Sequence, residues 1–374
     1  MNPLHLACVV AARPNFMKMA PLLRAFDHPA YVGRVAVTLI HTGQHYDPNL
    51  SDVFFRQLGM RRPDRTLDVG SGSHAAQTAR VIERMETTLL DVATNGPGFD
   101  RIVVVGDVNS TMAAALAAVK LGIAVAHIEA GLRSFDRSMP EEINRIVTDA
   151  VADRLFVSEP AGVQNLLREG QPIDHIHLVG NVMIDTLRQM LPQAESLDVA
   201  GQHGLQRRQY GVITMHRPSN VDCPQTLARL IDVLIDVSQR IPLVFPVHPR
   251  TDRLLTQAGL RVRMEEAPGF RLLPPVGYLE FLSLTSQARV IVTDSGGLQE
   301  ESTVLGIPCL TLRSNTERPV TVELGTSTLV GNSAELLRHG LDDVLSDRYK
   351  QGQCPELWDG QAARRIARLL VEAE

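Results

Sequence analysis

The chain has 374 residues, which at roughly 100–200 residues per domain points to two domains. A hydrophobic share of 44% is enough for ordinary buried cores, while an aromatic share of 4% argues against stacking platforms for single-stranded nucleic acid. The net charge of −5 gives no chain-wide basic face, so neither nucleic acid nor a membrane is an expected partner and any anion site must be local.

The first predicted element is a strand, Leu4–Ala11. The start, Met1 to Ala12, lacks a basic leading region and runs into Arg13-Pro14-Asn15, so it does not read as a signal peptide. A helix follows at Met17–Phe26, then a strand at Val35–His41 and a long helix at Ala75–Ala93. Strands at Arg101–Gly106 and Ile123–Ile128 enclose an Ala-rich helix, Thr111–Leu121. The amphipathic helix Glu141–Val151 precedes strands Arg154–Val157 and His175–Val179. Strands alternating with helices of this length predict α/β architecture with a parallel sheet covered on both faces. Pro192 to Tyr210 is polar and lacks a clear period, and the domain boundary is expected near residue 182, giving domains 1–182 and 183–357. The pattern then resumes with strands Gly211–Met215, Leu243–Val247, Phe270–Leu273, Val290–Thr293 and Cys309–Leu312. Helices Thr226–Gln239, Tyr278–Gln287, Leu298–Leu305 and Glu335–Leu345 lie between or after them, and Ala362–Glu372 is an amphipathic tail helix.

No run reaches ~18 apolar residues, the length of a membrane span. Cys8, Cys223, Cys309 and Cys354 are far apart and form no CxxC, so a reducing cytoplasm is the expected setting. His, Asp and Glu occur without HxxxH or HExxH spacing, so no metal is expected. The absence of GxGxxG and of a Walker GxxxxGK[ST] argues against a dinucleotide cofactor and P-loop chemistry.

Open parallel sheets bind ligands beyond the carboxyl ends of their strands. In the first half those ends are followed by Arg13, Gln44-His45, Asp107 and Glu129, and in the second by His216-Arg217, His248 and Asp294-Ser295. Two polar rims facing an interdomain cleft are expected. The turn Asp294-Ser295-Gly296-Gly297, between an apolar strand and a helix, is a phosphate-grip candidate, since glycines admit close backbone approach and helix-start N–H groups point at an anion. A serine-capped connection is the plainer alternative. Arg313 and Arg318 soon afterwards favour phosphate, whose geometry suits arginine. Glu301 is placed to accept from ribose hydroxyls, and Arg13 and Lys18 flank a helix start at the first sheet's edge. Glu141 and Glu142 follow Pro140 at another helix start, where glutamates also complement the helix dipole, so Glu142 in particular is open to a structural reading.

The stretches ARPNFMKMAP, TGQHYD, GDVNST, HIEAGLRSFDRSMPEEINR, TMHRPSNVD, PVHPRT, TDSGGLQEE and TERP…TVELGT occur in one order. Together they resemble the non-hydrolysing UDP-N-acetylglucosamine 2-epimerases, which have the GT-B fold, from about residue 4 to WDGQAARRI in the tail. The resemblance implies two Rossmann-like domains, UDP-sugar between them, a last helix (about 358–374) returning to the first domain, a homodimer, and no metal or nicotinamide. It places nucleotide contacts on Arg13, Lys18, Phe281, Ser295, Gly296, Gly297, Glu301 and Arg318. Catalytic or sugar-facing roles fall on Asp107, Glu129, Glu141 and His216. At Val276, where members often carry glutamine, contact would be through the main chain. The segment HRPSN stands where many bacterial members have HRREN, whose arginine and glutamate help to bind a second, activating UDP-sugar.

The implied reaction explains the carboxylates. Carbon 2 of a glycosyl phosphate has no adjacent carbonyl, so its proton becomes removable only as UDP leaves and positive charge builds at carbon 1. The site then needs a base, an acid and a grip on the departing diphosphate, and a raised carboxyl pKa would supply the acid. A GT-B glycosyltransferase, a hydrolysing epimerase, an epimerase of a modified UDP-acetamido sugar and an inactive UDP-sugar sensor are the alternatives.

Overall fold

The computed structural model describes residues 3–43, 55 and 57–372. The chain divides into two compact units, residues 1–186 with 356–374, and residues 187–355.

Among the described residues, the first unit holds seven strands: β1 (Leu4–Val10), β2 (Val35–His41), β3 (Arg65–Thr66), β4 (Arg101–Val105), β5 (Ala124–Ala130), β6 (Arg154–Val157) and β7 (Ile176–Leu178). Their order is β3-β2-β1-β4-β5-β6-β7, and every described pairing is parallel. The second unit holds β8 (Gly211–Thr214), β9 (Leu243–Pro246), β10 (Phe270–Leu273), β11 (Val290–Thr293), β12 (Cys309–Thr311) and β13 (Ser327–Leu329), in the order β10-β9-β8-β11-β12-β13, again parallel. Both are doubly wound sheets whose order reverses beside the first strand, between β1 and β4 and between β8 and β11. These switch points open the crevices that bind ligands. All five residues of β4, Arg-Ile-Val-Val-Val, are buried, as expected of a strand covered on both faces.

The strands begin within a residue of their predicted starts, and five predicted elements coincide with the structure: Val35–His41, Arg154–Val157, Phe270–Leu273, Val290–Thr293 and the tail helix Ala362–Glu372. β5 runs two residues further than expected, through a register shift between Ile128 and Ala130 that falls on Glu129. The polar stretch beginning at Pro192 is not irregular at its start: a helix spans Val182–Leu197 with Pro192 inside it. Leu187, Met190 and Ala194 are buried at helical spacing, and that packing outweighs the hydrogen bond lost at proline. The short edge strands β3 and β13, and helices Pro160–Arg168, Pro249–Gln257 and Leu260–Glu265, were not expected from the sequence.

The tail belongs to the first unit. Asp185 accepts hydrogen bonds from the Ala362 and Ala363 amides at 3.2 and 2.9 Å, covering two of the free N–H groups that open helix Ala362–Glu372. Trp358, the one tryptophan, is buried and donates from Nε1 to the Ser158 carbonyl at 2.9 Å. Gly180, at φ +86, permits this approach, because a Cβ there would lie 2.1 Å from the Leu357 carbonyl oxygen. No helix among the described residues is long and apolar enough to cross a membrane.

Candidate active site

The carboxyl edge of the first sheet gathers acids and cations in pairs. β4 is followed by Gly106 and Asp107 and then by helix Asn109–Lys120. Asp107 is part-exposed and accepts from Arg145 at 2.5 Å. One strand over, Glu129 sits at the bulge of β5 with φ +71, a left-handed conformation rare for glutamate. A bulge re-aims a side chain, and here Glu129 is buried in an ion pair with Lys18 from helix Arg13–Phe26. Gly106, at φ +71, leaves space for that pair, since a Cβ there would lie 3.2 Å from Lys18 Nζ. Asn15 ties the same helix to β4 by donating to the Val105 carbonyl at 2.8 Å. Gln44 and His45 lie outside the described residues, as does the side chain of Arg13.

Adjacent glutamates at the start of helix Pro140–Val151 have different environments. Glu141 is exposed. Glu142 is buried and accepts from the Ser134 amide and hydroxyl, the Phe135 amide and Arg145. Burial pushes its carboxyl upward, but the Ser134 amide and Arg145 outweigh it and hold the pKa below its usual value. The structural reading of Glu142 therefore has a concrete form: it pins the loop before the helix and fixes Arg145, which in turn holds Asp107. Behind β5, the buried His127 ring reaches Asp149 at 2.6 Å through Nδ1 and the Gly106 carbonyl at 2.9 Å through Nε2. Asp149 also meets Arg133 at 2.7 Å. Sequence reasoning passed over Arg145, His127 and Asp149. The i, i+3 spacing of Glu142 and Arg145 was a usable signal, but nothing local marks a His–Asp contact 22 residues apart.

The second sheet's carboxyl edge has a different construction. Asp294, directly after β11, is fully buried and turned toward the segment after β8. Its Oδ2 accepts from the His216 and Arg217 amides, each at 2.8 Å, and from Asn220 Nδ2 at 3.1 Å. Its Oδ1 lies 2.8 Å from His216 Nδ1, which leaves Nε2 of the half-exposed imidazole turned away from it. Burial raises the Asp294 pKa, but the hydrogen bond and charge of His216 with the two amides hold it below its usual value. Asp294 is thus an orienting group across the switch point, which the Asp-Ser-Gly-Gly string alone does not reveal.

Ser295 occupies the N-cap position of helix Gly296–Leu305, but its hydroxyl makes no capping bond. The plainer serine-cap alternative loses its main support. A Cβ on Gly297 would meet nothing within 4 Å, so the backbone there faces open space, whereas one on Gly296 would lie 3.0 Å from the Arg318 guanidinium. Arg318 is ion-paired to Glu300 and, at 3.4 Å, to Glu317. Glu317 also takes Arg313 through both oxygens, at 2.7 and 2.9 Å. Burial opposes ionisation of Glu317, but Arg313 and Arg318 prevail and hold its pKa at about 2. Glu301 is buried and accepts from the Tyr278 hydroxyl at 3.1 Å, and Phe281 is half-buried on helix Tyr278–Ser286. Val276 is half-buried just before that helix. His248 is exposed and caps helix Pro249–Gln257 by accepting from the Arg250 amide at 3.2 Å, a local structural task; its ring centroid lies 6.1 Å from that of His216.

The first rim can therefore hold and move protons, and the second can hold an anion at an open helix start beside an oriented imidazole. A sequence model of the family described as UDP-N-acetylglucosamine 2-epimerase matches residues 31–371. A UDP-N-acetylglucosamine 2-epimerase from Methanococcus maripaludis is 40% identical over 347 residues, 91% of this chain and 92% of that protein. A UDP-2,3-diacetamido-2,3-dideoxy-D-glucuronate 2-epimerase from Pseudomonas aeruginosa is 37% identical over 97% of this chain and 98% of its own length. The crystal structure of the Methanocaldococcus jannaschii UDP-GlcNAc 2-epimerase in complex with UDP-GlcNAc and UDP superposes with a TM-score of 0.85 at 38% identity, covering 99% of this chain and all of that one. This chain belongs to the UDP-N-acetylglucosamine 2-epimerase family.

Proposed function

We propose that the chain interconverts UDP-N-acetylglucosamine and UDP-N-acetylmannosamine without hydrolysis, by eliminating UDP and adding it back. The observation that carries this reading is the placement of Asp107 and Glu129 at neighbouring strand ends, each against a cation, on the carboxyl edge of the first sheet. In the forward direction the carbon 2 proton passes to a carboxylate while the bond from carbon 1 to the diphosphate oxygen breaks. The products of that step are a glycal and UDP. A proton then returns to carbon 2 on the opposite face and the diphosphate oxygen re-forms its bond to carbon 1. Asp107, Glu129 and Glu141 are the acid–base set of this reading. His216, oriented by Asp294, meets the diphosphate as it leaves, with Arg13 and Lys18 assisting. Ser295, Gly296 and Gly297 hold the phosphates, Glu301 the ribose, and Phe281 with the main chain of Val276 the uracil. Arg318 stands over the phosphate turn, and Gln44, His45 and His248 border the sugar. The grip must outlast the bond, since water reaching the glycal would release free sugar.

The full-length likeness to the Pseudomonas diacetamido-glucuronate epimerase favours a second reading, in which the substrate is a modified UDP-acetamido sugar handled by the same chemistry. Incubation with each UDP-sugar in heavy water, followed by NMR, separates the readings. The proposal expects deuterium at carbon 2 and the UDP-linked epimer. Free N-acetylmannosamine with UDP would replace it by the hydrolysing reaction, and no exchange with UDP-N-acetylglucosamine would reject it for that sugar. A homodimer and a cytoplasmic location accompany the proposed function.

A further inference from the structure

The second unit carries a cavity of about 490 Å³ at the edge of its sheet opposite the Ser295 turn. Its lining follows the amino ends of four consecutive strands. Arg208 lies just before β8, Arg289 immediately before β11, Pro308 immediately before β12 and Thr326 immediately before β13. The segment 344–352 completes the wall. β11 has four residues, so roughly 13 Å of strand separates its two ends.

Three cations, Arg208, Arg289 and Lys350, line this cavity against one carboxylate, Asp347. Asp347 is paired with Arg289 at 2.6 Å and its side chain is 83% exposed. Arg289 has a structural task as well: it donates at 3.0 Å to the Val344 carbonyl, in the last turn of helix Ala334–Leu345. Arg208 and Lys350 are different. Among the described residues, Arg208 gives one guanidinium N–H to the Ala288 carbonyl at 2.9 Å, and Lys350 gives one ammonium N–H to the Val322 carbonyl at 2.5 Å. A guanidinium has five such donors and an ammonium three. Burial lowers the pKa of both, an effect that bears chiefly on the half-buried Arg208, while Lys350 stands exposed at the mouth of the cavity.

The cations are also held in place. The Arg208 amide donates to the Gln287 carbonyl at 2.8 Å, and the residue is fixed at φ +59, a conformation that costs energy for arginine. Beside Lys350, the Tyr349 hydroxyl lies 2.9 Å from the Thr326 carbonyl and 2.7 Å from Thr328 Oγ1. The volume lies within the range of about 300–1,000 Å³ typical of small-molecule sites, more than a bare phosphate ion fills.

We propose that this cavity binds a phosphorylated small molecule of sugar-phosphate size, with Arg208, Arg289 and Lys350 on the phosphate. The site is separate from the epimerisation chemistry and does not depend on that reading.

Calorimetric titration of the full chain with inorganic phosphate, pyrophosphate and ribose 5-phosphate tests it. The variants are Lys350→Met and Arg208→Gly, the latter chosen because glycine accepts φ +59 without strain. Arg338→Gln, at an exposed pair with Asp236, is the control. Saturable binding of ribose 5-phosphate, tighter than phosphate and weakened by about tenfold or more in both variants but not in the control, is expected. No saturable binding of any probe up to about 10 mM, binding of inorganic phosphate alone, or binding unchanged in folded Lys350→Met and Arg208→Gly would each overturn the proposal.

Discussion

The two units use the same strand order and differ in what they place at the switch point. In the first, the strand-end acids are met by cations, Glu129 by Lys18 and Asp107 by Arg145. In the second, the strand-end acid Asp294 turns inward and spends its oxygens orienting the His216 segment, while the helix start at Ser295 is left without a side-chain cap. Topology chooses where a site forms, and a few residues after each strand choose its chemistry. Under the proposed reaction this is a division of labour, with proton transfer assigned to the paired acids and phosphate retention to the open helix start.

The sharpest way to break that division is Asp107→Asn. Arg145 keeps Glu142, so the fold is expected to hold while turnover falls by roughly 10²–10⁴-fold, the range for loss of a general acid or base. Steady-state rates with a melting curve as control measure this. Unchanged turnover would remove Asp107 from the chemistry.

The next effect separates neighbours within the first rim. Glu142→Gln removes a buried charge from Arg145 and is expected to cost about 3 kcal/mol in urea unfolding, the low end for a broken buried pair because Arg145 keeps Asp107. Glu141→Gln, at an exposed position, is expected to change stability by no more than about 0.5 kcal/mol while lowering turnover. Equal stability losses would contradict the contrast between the two.

Protonation of the paired and unpaired acids gives opposite pH signatures. Burial, opposed in part by the Ala362 and Ala363 amides, raises Asp185 from 3.8 to about 6. Its stabilising contribution is fully present below pH 3.8 and is lost as pH rises through about 6. Glu317, lowered from 4.5 to about 2, contributes stability above pH 4.5 that is lost as pH falls toward 2. Urea midpoints across pH are therefore expected to lose their decline between about 4 and 6 in Asp185→Asn. In Glu317→Gln the acid-side loss is expected to shrink instead.

The smallest expected effect sharpens the second rim. Gly297→Ala adds a methyl group to open space, so stability should not fall, but the methyl crowds the approach of a phosphate. UDP affinity is expected to drop by about 1 kcal/mol, roughly fivefold, in calorimetry. Unaltered affinity would move the grip away from Gly297.

The alternation of strands and helices was legible because buried strands such as β4 and β11 are continuous apolar runs. The helix Val182–Leu197 was obscured by Pro192, whose cost is offset by burial of Leu187, Met190 and Ala194. β13, three residues long, carries too little pattern to stand out and is fixed by pairing with β12. Around the site, Asp107, Glu129 and the Asp294 turn were visible from their places at strand ends. What they do was less visible: Asp294 contacts His216, 78 residues away, and Asp107 contacts Arg145, 38 away. The sequence leaves Glu142 open to a structural reading without saying what it would hold, and the loop at Ser134 and Phe135 folding onto Glu142 supplies that partner.

The central claim is that proton transfer and phosphate retention are separable between the two rims. Calorimetric titration of UDP into Asp107→Asn tests this most directly. The expected result is UDP affinity within about threefold of the unmodified chain, less than 1 kcal/mol, in a protein that no longer places deuterium at carbon 2. UDP binding that falls in step with turnover would contradict the account.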